Sequence, residues 1–346
     1  MSDFRIDQIS NQAGTAGPDI AGITTFNSTS GMLMPSGVTE YRGGRGRGLF
    51  GGGYAFPAVF NIIDYVTIAT TGNAQDFGDL SVNRWGTGGA ASSTRGLFGG
   101  GSTPTIQNTI DYVTISSTGN AFDFGDLTLP MTHTAACSSS IRGVWGGGST
   151  PGPVSAIRTN TISYVTIASL GNATDFGDLT LQRRRVASCS SPERGVFFGG
   201  KDDPAKNNII DYITIASAGN AIDFGDLIDN SDSMFGCSNS IRGVFAGGIT
   251  PTSATNTIQY ITIASTGNAQ DFGDLSAAKT VGGACASSTR GVFAGGYNFP
   301  TSPITIFSLI EHITISTLGN TTTFGNLFTG RYTLTGLSDA HGGLGD

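Results

Sequence analysis

Five times the sequence sets two aspartates three residues apart in the motif Asp-Phe-Gly-Asp: Asp76/Asp79, Asp123/Asp126, Asp175/Asp178, Asp223/Asp226 and Asp271/Asp274. Paired carboxylates can do acid–base work or ligate calcium. Six times an arginine precedes a glycine cluster, as in RGLFGGG at 47–53 and 95–101, RGVWGGG at 142–148, RGVFFGG at 194–200 and RGVFAGG at 242–248 and 290–296. Such clusters could cradle phosphate, but a phosphate loop must run into a helix N-terminus, and no helical pattern follows any of them. A catalytic pair is needed once, not five times. The histidines (His133, His312, His341) are far apart, and no nucleophile elbow, HExxH or CxxC pattern occurs. The expectation is no catalytic residue, no metal site and no cofactor.

The elements that carry these residues repeat. The Arg-Gly pairs start at 47, 95, 142, 194, 242 and 290, and the motif GNAxDFGDL keeps the same beat from Gly72, Gly119, Gly171, Gly219 and Gly267. A weakened copy, GNTTTFGNL, starts at Gly319. Each unit of 47–52 residues resolves into four short strands. In the second unit these are TGGAASS (A), LFGGG (B), TIDYVTISS (C) and FDFGDL (D), with a tight turn at Gly119-Asn120. Strand C is apolar on both sides of its alternation, as a strand covered on both faces must be. Glycine is abundant (53 residues), charge is sparse (12%) and no G-X-Y period exists. Six four-stranded units of this length predict an all-β, six-bladed β-propeller over residues 47–346. The last unit leaves a spare strand A near 333–340, while the first has B, C and D but no clear A. Closure by that C-terminal strand is the simplest solution, and residues 38–44 are the alternative.

In the sixth copy both aspartates are lost, to Thr323 and Asn326, and the arginine that should follow is His341. This joint loss suggests structural ion pairs between Arg95, Arg142, Arg194, Arg242 and Arg290 and the carboxylates Asp79, Asp126, Asp178, Asp226 and Asp274, since the guanidinium fork fits a carboxylate. Calcium at the DFGD turns is the alternative. Cys137, Cys189, Cys237 and Cys285 share one slot of the repeat, held elsewhere by Ala90 and Gly336, so they read as small, buried, unpaired thiols.

Antiparallel strands put the A–B and C–D turns at one end of the ring and the B–C and D–A loops at the other. The turns barely change between repeats, whereas the loops vary freely. Binding residues are therefore expected on the loop face: Tyr54, Phe56, Trp85, Arg183, Arg184, Arg185, Tyr297, Phe299 and Tyr332. The net charge of −7 excludes a broad nucleic-acid surface, and no apolar run is long enough to span a membrane.

The glycine doublet closing strand B, the IDY of strand C and the aromatic of DFGDL resemble the kelch motif, with Phe77, Phe124, Phe176, Phe224, Phe272 and Phe324 where kelch repeats usually carry tryptophan. Residues 1–46 do not follow the repeat. Their apolar residues, Phe4, Ile6, Ile9, Ile20, Ile23 and Phe26, suit an extended arm docked on another protein, and the N-terminus lacks the regions of a signal peptide. FRIDQISNQAGTAGPDIAGITTFNSTSGMLMPSG resembles N-terminal segments of virion structural proteins of tailed bacteriophages, especially marine cyanophages, and the TIDYVTIASTGNATDFGDL style of repeat is similar to propeller-like proteins of the same phages. The resemblance implies a non-enzymatic virion component in several copies per particle, assembled in the host cytoplasm; the alternatives are a cellular kelch-type protein-interaction module and a carbohydrate-binding or carbohydrate-active propeller. Its arm would anchor to other virion proteins, and its propeller would face outward toward a protein or a host surface glycan.

Overall fold

A computed structural model describes residues 25–27, 31–33, 46–299 and 303–345. Two compact units divide the chain, Met1–Arg45 and Gly46–Asp346. In the first, Thr25–Asn27 pairs antiparallel with Gly31–Leu33. Phe26 lies on the former strand. Phe4, Ile6, Ile9, Ile20, Ile23 and the stretch 38–44 fall outside the described residues.

The second unit is a six-bladed β-propeller, and every blade is a four-stranded antiparallel sheet in the order A–B–C–D. Blade 2 is representative: A is Gly88–Ala91, B Arg95–Gly99, C Thr109–Thr114 and D Phe122–Asp126. Blade 1 is made from both ends of the unit. Thr335–Ser338 supplies strand A and pairs with strand B, Arg47–Gly51, with Leu49 opposite Leu337. The C-terminal strand thus closes the ring, and it places Leu337, not Gly336, in the slot held by the cysteines. Leu337 fills this slot from the chain terminus, where the register is set by pairing with strand B rather than by an A–B turn.

The Arg-Gly-x-aromatic-Gly motif is legible as packing. The glycine after each arginine makes room for the strand A slot of the preceding blade: Cys285 Sγ lies against Gly48, Cys137 against Gly195, Cys189 against Gly243 and Cys237 against Gly291. A Cβ at these glycines would collide with sulfur. All four cysteines are buried and unpaired, and burial pushes the Cys137 thiol up to about 12. The aromatic of each motif is buried against the end of the previous strand B, as with Phe98 on Gly51 and Trp145 on Gly99. The glycine doublets that end strand B turn with positive φ, for example Gly52 at 63° and Gly53 at 118°.

The GNA and DFGD motifs clasp neighbouring blades. The C–D hairpin of each blade adds to the outer edge of strand D in the blade before it. Gly119 and Ala121 amides donate to the Phe77 and Asp79 carbonyls at 2.7 Å each. Asn120 Oδ1 accepts from the Asp79 amide at 3.1 Å. The pattern recurs at every junction, and at the closing one Gly72 and Ala74 donate to Phe324 and Asn326. Gly78, with φ 144°, admits this approach because a Cβ there would strike the Gly119 carbonyl. Strand edges that would otherwise expose unpaired backbone are thereby covered.

Candidate functional site

The repeat arginines make none of the expected ion pairs among the described residues; this is a correction to the sequence reading. Each guanidinium lies over the tyrosine of strand C in its own blade: Arg95 over Tyr112 (4.9 Å), Arg142 over Tyr164 (4.6 Å), Arg194 over Tyr212 and Arg242 over Tyr260 (both 4.5 Å). Its Nη1 donates to a backbone carbonyl of the next blade: Arg95 to Ile167 (2.8 Å), Arg142 to Ile215 (2.9 Å), Arg194 to Ile263 (3.0 Å) and Arg242 to Ile315 (2.8 Å). In the sixth blade His312 replaces the tyrosine, and Arg290 keeps the bond to the next blade, donating to the Ile68 and Ala69 carbonyls. The carboxylates of Asp79, Asp126, Asp178, Asp226 and Asp274 sit at the outer edge, where the main chain serves the clasp. A planar cation finds a ring and a carbonyl at hand, while a carboxylate at the rim keeps its water.

Four fully buried ion pairs do exist, and they join the fourth residue of a D–A loop to strand C of the next blade. Arg84 meets Asp111 at 2.7 Å, Arg183 meets Asp211 at 2.9 Å, Arg331 meets Asp64 at 2.8 Å, and Lys279 meets Glu311. Arg183 is therefore no surface anchor, since its side chain and that of Asp211 are 0% exposed. Burial lowers the pKa of Arg84, Arg183 and Lys279 while their acidic partners oppose the shift, and Lys279 holds the Glu311 carboxyl below its usual range against burial. The two remaining blades carry neutral residues at both positions, Met131 with Ser163 and Ser231 with Gln259. Cation and acid come and go together across the six repeats, a signal available in the sequence and missed by looking only at the conserved motifs.

On the loop face, the fifth D–A residue of each junction bridges the first residue after the next glycine doublet: Tyr332 to Tyr54, Trp85 to Ser102, Thr132 to Ser149, Arg184 to Lys201, Asp232 to Ile249 and Thr280 to Tyr297. The sixth residues close a ring around the axis. Gly86 donates to Thr333, Thr333 to Val281, Val281 to Ser233, Ser233 to Arg185, Arg185 to His133 and His133 back to Gly86, over 2.7–3.1 Å. To form it, His133, Arg185, Ser233, Val281 and Thr333 adopt φ between 50° and 63°. For β-branched Val281 and Thr333 this left-handed backbone is a strained choice. The same six positions line a hollow at the axis.

Of the expected binding residues Arg185 lines this hollow, and Tyr54, Trp85, Tyr297 and Tyr332 form a chain of ring contacts on the same loop face. Tyr297 packs on Tyr332 (ring centroids 4.5 Å apart), Tyr332 on Tyr54 (5.3 Å), Tyr54 on Trp85 (6.4 Å) and Trp85 on His133 (4.9 Å). Phe56 and Phe299 extend the arc outward, 79% and 43% exposed. On the same face Arg184 pairs with Asp203 at 2.7 Å, and Arg185 lies 3.6 Å from Asp232. Burial and the nearby cations Arg185, Arg184 and Lys201 lower the His133 pKa to about 3. Burial and the neighbouring Tyr54 and Tyr297 phenols raise that of Tyr332 to about 12.

The opposite end of the axis is plugged. After strand A of blade 1 the chain turns into a short 3-10 helix, Gly342–Leu344. His341 Nε2 lies 2.9 Å from the Ala91 carbonyl and 3.2 Å from Ser138 Oγ, and its Nδ1 accepts from the Gly343 amide at 3.1 Å. These partners define a neutral Nε2–H imidazole, and burial takes its pKa down to about 4.

The fold defines the class: a six-bladed β-propeller. No family model matches the chain, and no curated protein matches it. Among solved structures it is similar to one described as "Structure of YjhT", with a TM-score of 0.62 and 12% identity over 75% of this chain and 88% of that one. Likeness at this identity extends to the fold alone. Propellers of this kind are compatible with a non-enzymatic interaction role. Among the described residues no group of three or more His, Cys, Asp or Glu is placed to hold a metal ion, and no helix is long and apolar enough to cross a membrane.

Proposed function

We propose that this protein is a non-enzymatic virion component of a tailed phage, held to other virion proteins by residues 1–46, whose propeller presents its loop face to a protein or host surface. The observation that carries the binding reading is the asymmetry of the two ends. One end is a set of near-identical turns plugged by the C-terminal helix, and the other gathers Tyr54, Trp85, Tyr297 and Tyr332 into one aromatic arc with exposed Phe56 and Phe299 beside it. Contiguous aromatic surface on a rigid scaffold is a binding feature rather than a folding one. The phage assignment draws on the resemblance of the N-terminal segment and of the repeat style.

The test has two arms. Purified particles are examined for this chain and its copy number, and a chain lacking residues 1–46 is tested for incorporation. Separately, the full chain carrying Trp85→Ala with Tyr332→Ala is tested for adsorption to host cells. The proposal expects several copies per particle, failure of the truncated chain to incorporate, and lost adsorption at unchanged melting temperature. Absence from particles, or incorporation without the arm, overturns the virion reading. Undiminished adsorption of a folded variant overturns the loop-face reading.

A further inference from the structure

Most cations of the propeller have a structural task. The repeat arginines bond to carbonyls of the next blade, and Arg84, Arg183, Lys279 and Arg331 are buried against acids. The other lysines and arginines among its described residues, Arg158, Arg184, Arg185, Lys201 and Lys206, stand in one cluster on the loop face. Asp203 lies 2.7 Å from both Arg184 and Lys201 and 4.0 Å from Arg158. Arg158 also pairs with Asp202 at 3.0 Å, and Arg185 lies 3.6 Å from Asp232. Lys206 is paired directly opposite Lys201, and its Nζ donates to the Thr250 carbonyl. These cations outnumber the carboxylates that join them by two, on a chain whose net charge is −7.

Backbone register concentrates that excess. In every blade the fifth D–A residue bridges the first residue after the glycine doublet, and that residue lies opposite another further along the B–C loop. Residues directly opposite project to the same side, on backbones about 4.8 Å apart. The row in blade 4 is Arg184, Lys201 and Lys206. The same slots hold Tyr332, Tyr54 and Val59 in blade 1, and Asp232, Ile249 and Ala254 in blade 5. Outside blade 4 the only cation in any row is Arg158, at the end of the row in blade 3. The backbone therefore does not require cations in these slots. Like charges set directly opposite one another oppose folding, and Asp203 offsets only part of that repulsion. The side chains of Arg158, Arg184, Arg185 and Lys201 are 19–29% exposed, within reach of a ligand, whereas the four cations of the buried pairs are at most 1% exposed.

We infer that the Arg184–Lys201–Lys206 row is a binding site for a phosphomonoester group. Such a group carries about −1.5 to −2 charges at pH 7 and presents three acceptor oxygens, which matches the excess of two cations and the three donors of the row. The guanidinium fork takes two oxygens, and the ammonium groups act as point charges on flexible stems. A carboxylate brings one charge and two oxygens, and leaves a donor of the row unmatched. Bound phosphate also relieves the repulsion along the row. This site goes beyond the loop-face reading above, because it stands whether or not the aromatic arc grips a partner. A phosphorylated sugar and a phosphorylated lipid headgroup supply the same chemistry.

Calorimetry of the full chain with glucose 6-phosphate tests the site, with glucuronate as the carboxylate of similar size. Glucose 6-phosphate should bind about tenfold tighter than glucuronate or better. Vesicles of phosphatidylcholine with phosphatidic acid, a monoester, are compared with vesicles of phosphatidylcholine with phosphatidylglycerol, a diester. Binding of glucose 6-phosphate assigns the site to soluble or sugar-borne phosphate; a preference for phosphatidic acid alone assigns it to lipid. Lys206→Gln leaves the ion pairs of Asp202 and Asp203 in place, and with Arg184→Gln it should weaken the preferred phosphate by about tenfold or more. If the double variant does not fold, Lys206→Gln alone should still weaken it by about threefold or more. The melting temperature of Lys206→Gln without ligand should hold or rise, since a like-charge contact is removed. Failure of both phosphates to bind better than glucuronate or phosphatidylglycerol overturns the site, and so does phosphate binding undiminished in the folded variants.

Discussion

At the scale of residues, the repeated arginine is a fastener between blades whose partners are an aromatic ring and a carbonyl. Arg194→Ala removes the contact with Tyr212 and the bond to Ile263, and should cost about 1–2 kcal/mol in urea unfolding. Combined with Asp226→Asn it should show no coupling, because the two side chains do not interact; a coupling above about 0.5 kcal/mol would restore the ion-pair reading. The buried pairs behave differently. Arg183→Met alone leaves Asp211 charged and unpartnered in the interior, and should cost about 3–5 kcal/mol. Adding Asp211→Ser reproduces the Met131 and Ser163 arrangement of a neighbouring junction and should recover most of that loss. The chain has already made this substitution once in its own ring, so failure to recover would show that the two junctions pack differently.

Among the elements, the closing strand and its plug carry the most specific expectations. Removing residues 335–346 strips strand A from blade 1 and leaves the Arg47–Gly51 strand with an open edge. The truncated protein should lose its single cooperative thermal transition and aggregate on heating. Acid acts at the plug and at the opposite end of the axis. His341 and His133 are neutral in the folded chain, with pKa values of about 4 and about 3, against 6.5 for an ordinary histidine. The unfolded chain therefore binds more protons below pH 6.5, and stability falls as pH drops from about 6.5 toward 4 and below. Melting temperatures at pH 7.5, 5.5 and 4 should decline, and His341→Gln should shrink the decline between the first two. A flat profile would mean that the imidazole is solvated.

For the whole molecule, the propeller is a ring whose junctions are alike where they hold it together and unlike where they meet a partner. Trp85→Ala with Tyr54→Ala should abolish surface binding while moving the melting temperature by less than about 3 °C, since both side chains lie on the mouth and outside the blade cores. The period, the four strands, the turn residues and the number of blades were legible in the chain itself, because β-strand alternation and tight turns are local and six repeats check one another. So was the division into uniform turns and varied loops, which brought Tyr54, Trp85, Tyr297 and Tyr332 under suspicion. Partner choice was not legible in the same way. The DFGD carboxylates recur beside the arginines in sequence, yet closing the ring sets each arginine against a carbonyl of the next blade and leaves the carboxylates on the outermost strand. Arg183, Arg184 and Arg185 look equivalent in the chain; the loop turns the first into the interior and leaves the other two at the mouth. The left-handed residues around the axis and the seating of the plug at its far end exist only once the blades meet, since the bonds of the axial ring and those of His341 to Ala91 and Ser138 join positions about fifty residues apart or more. Sequence determined the repeating unit because its causes are local, and tertiary structure decided the contacts between units because those depend on the closure of the ring.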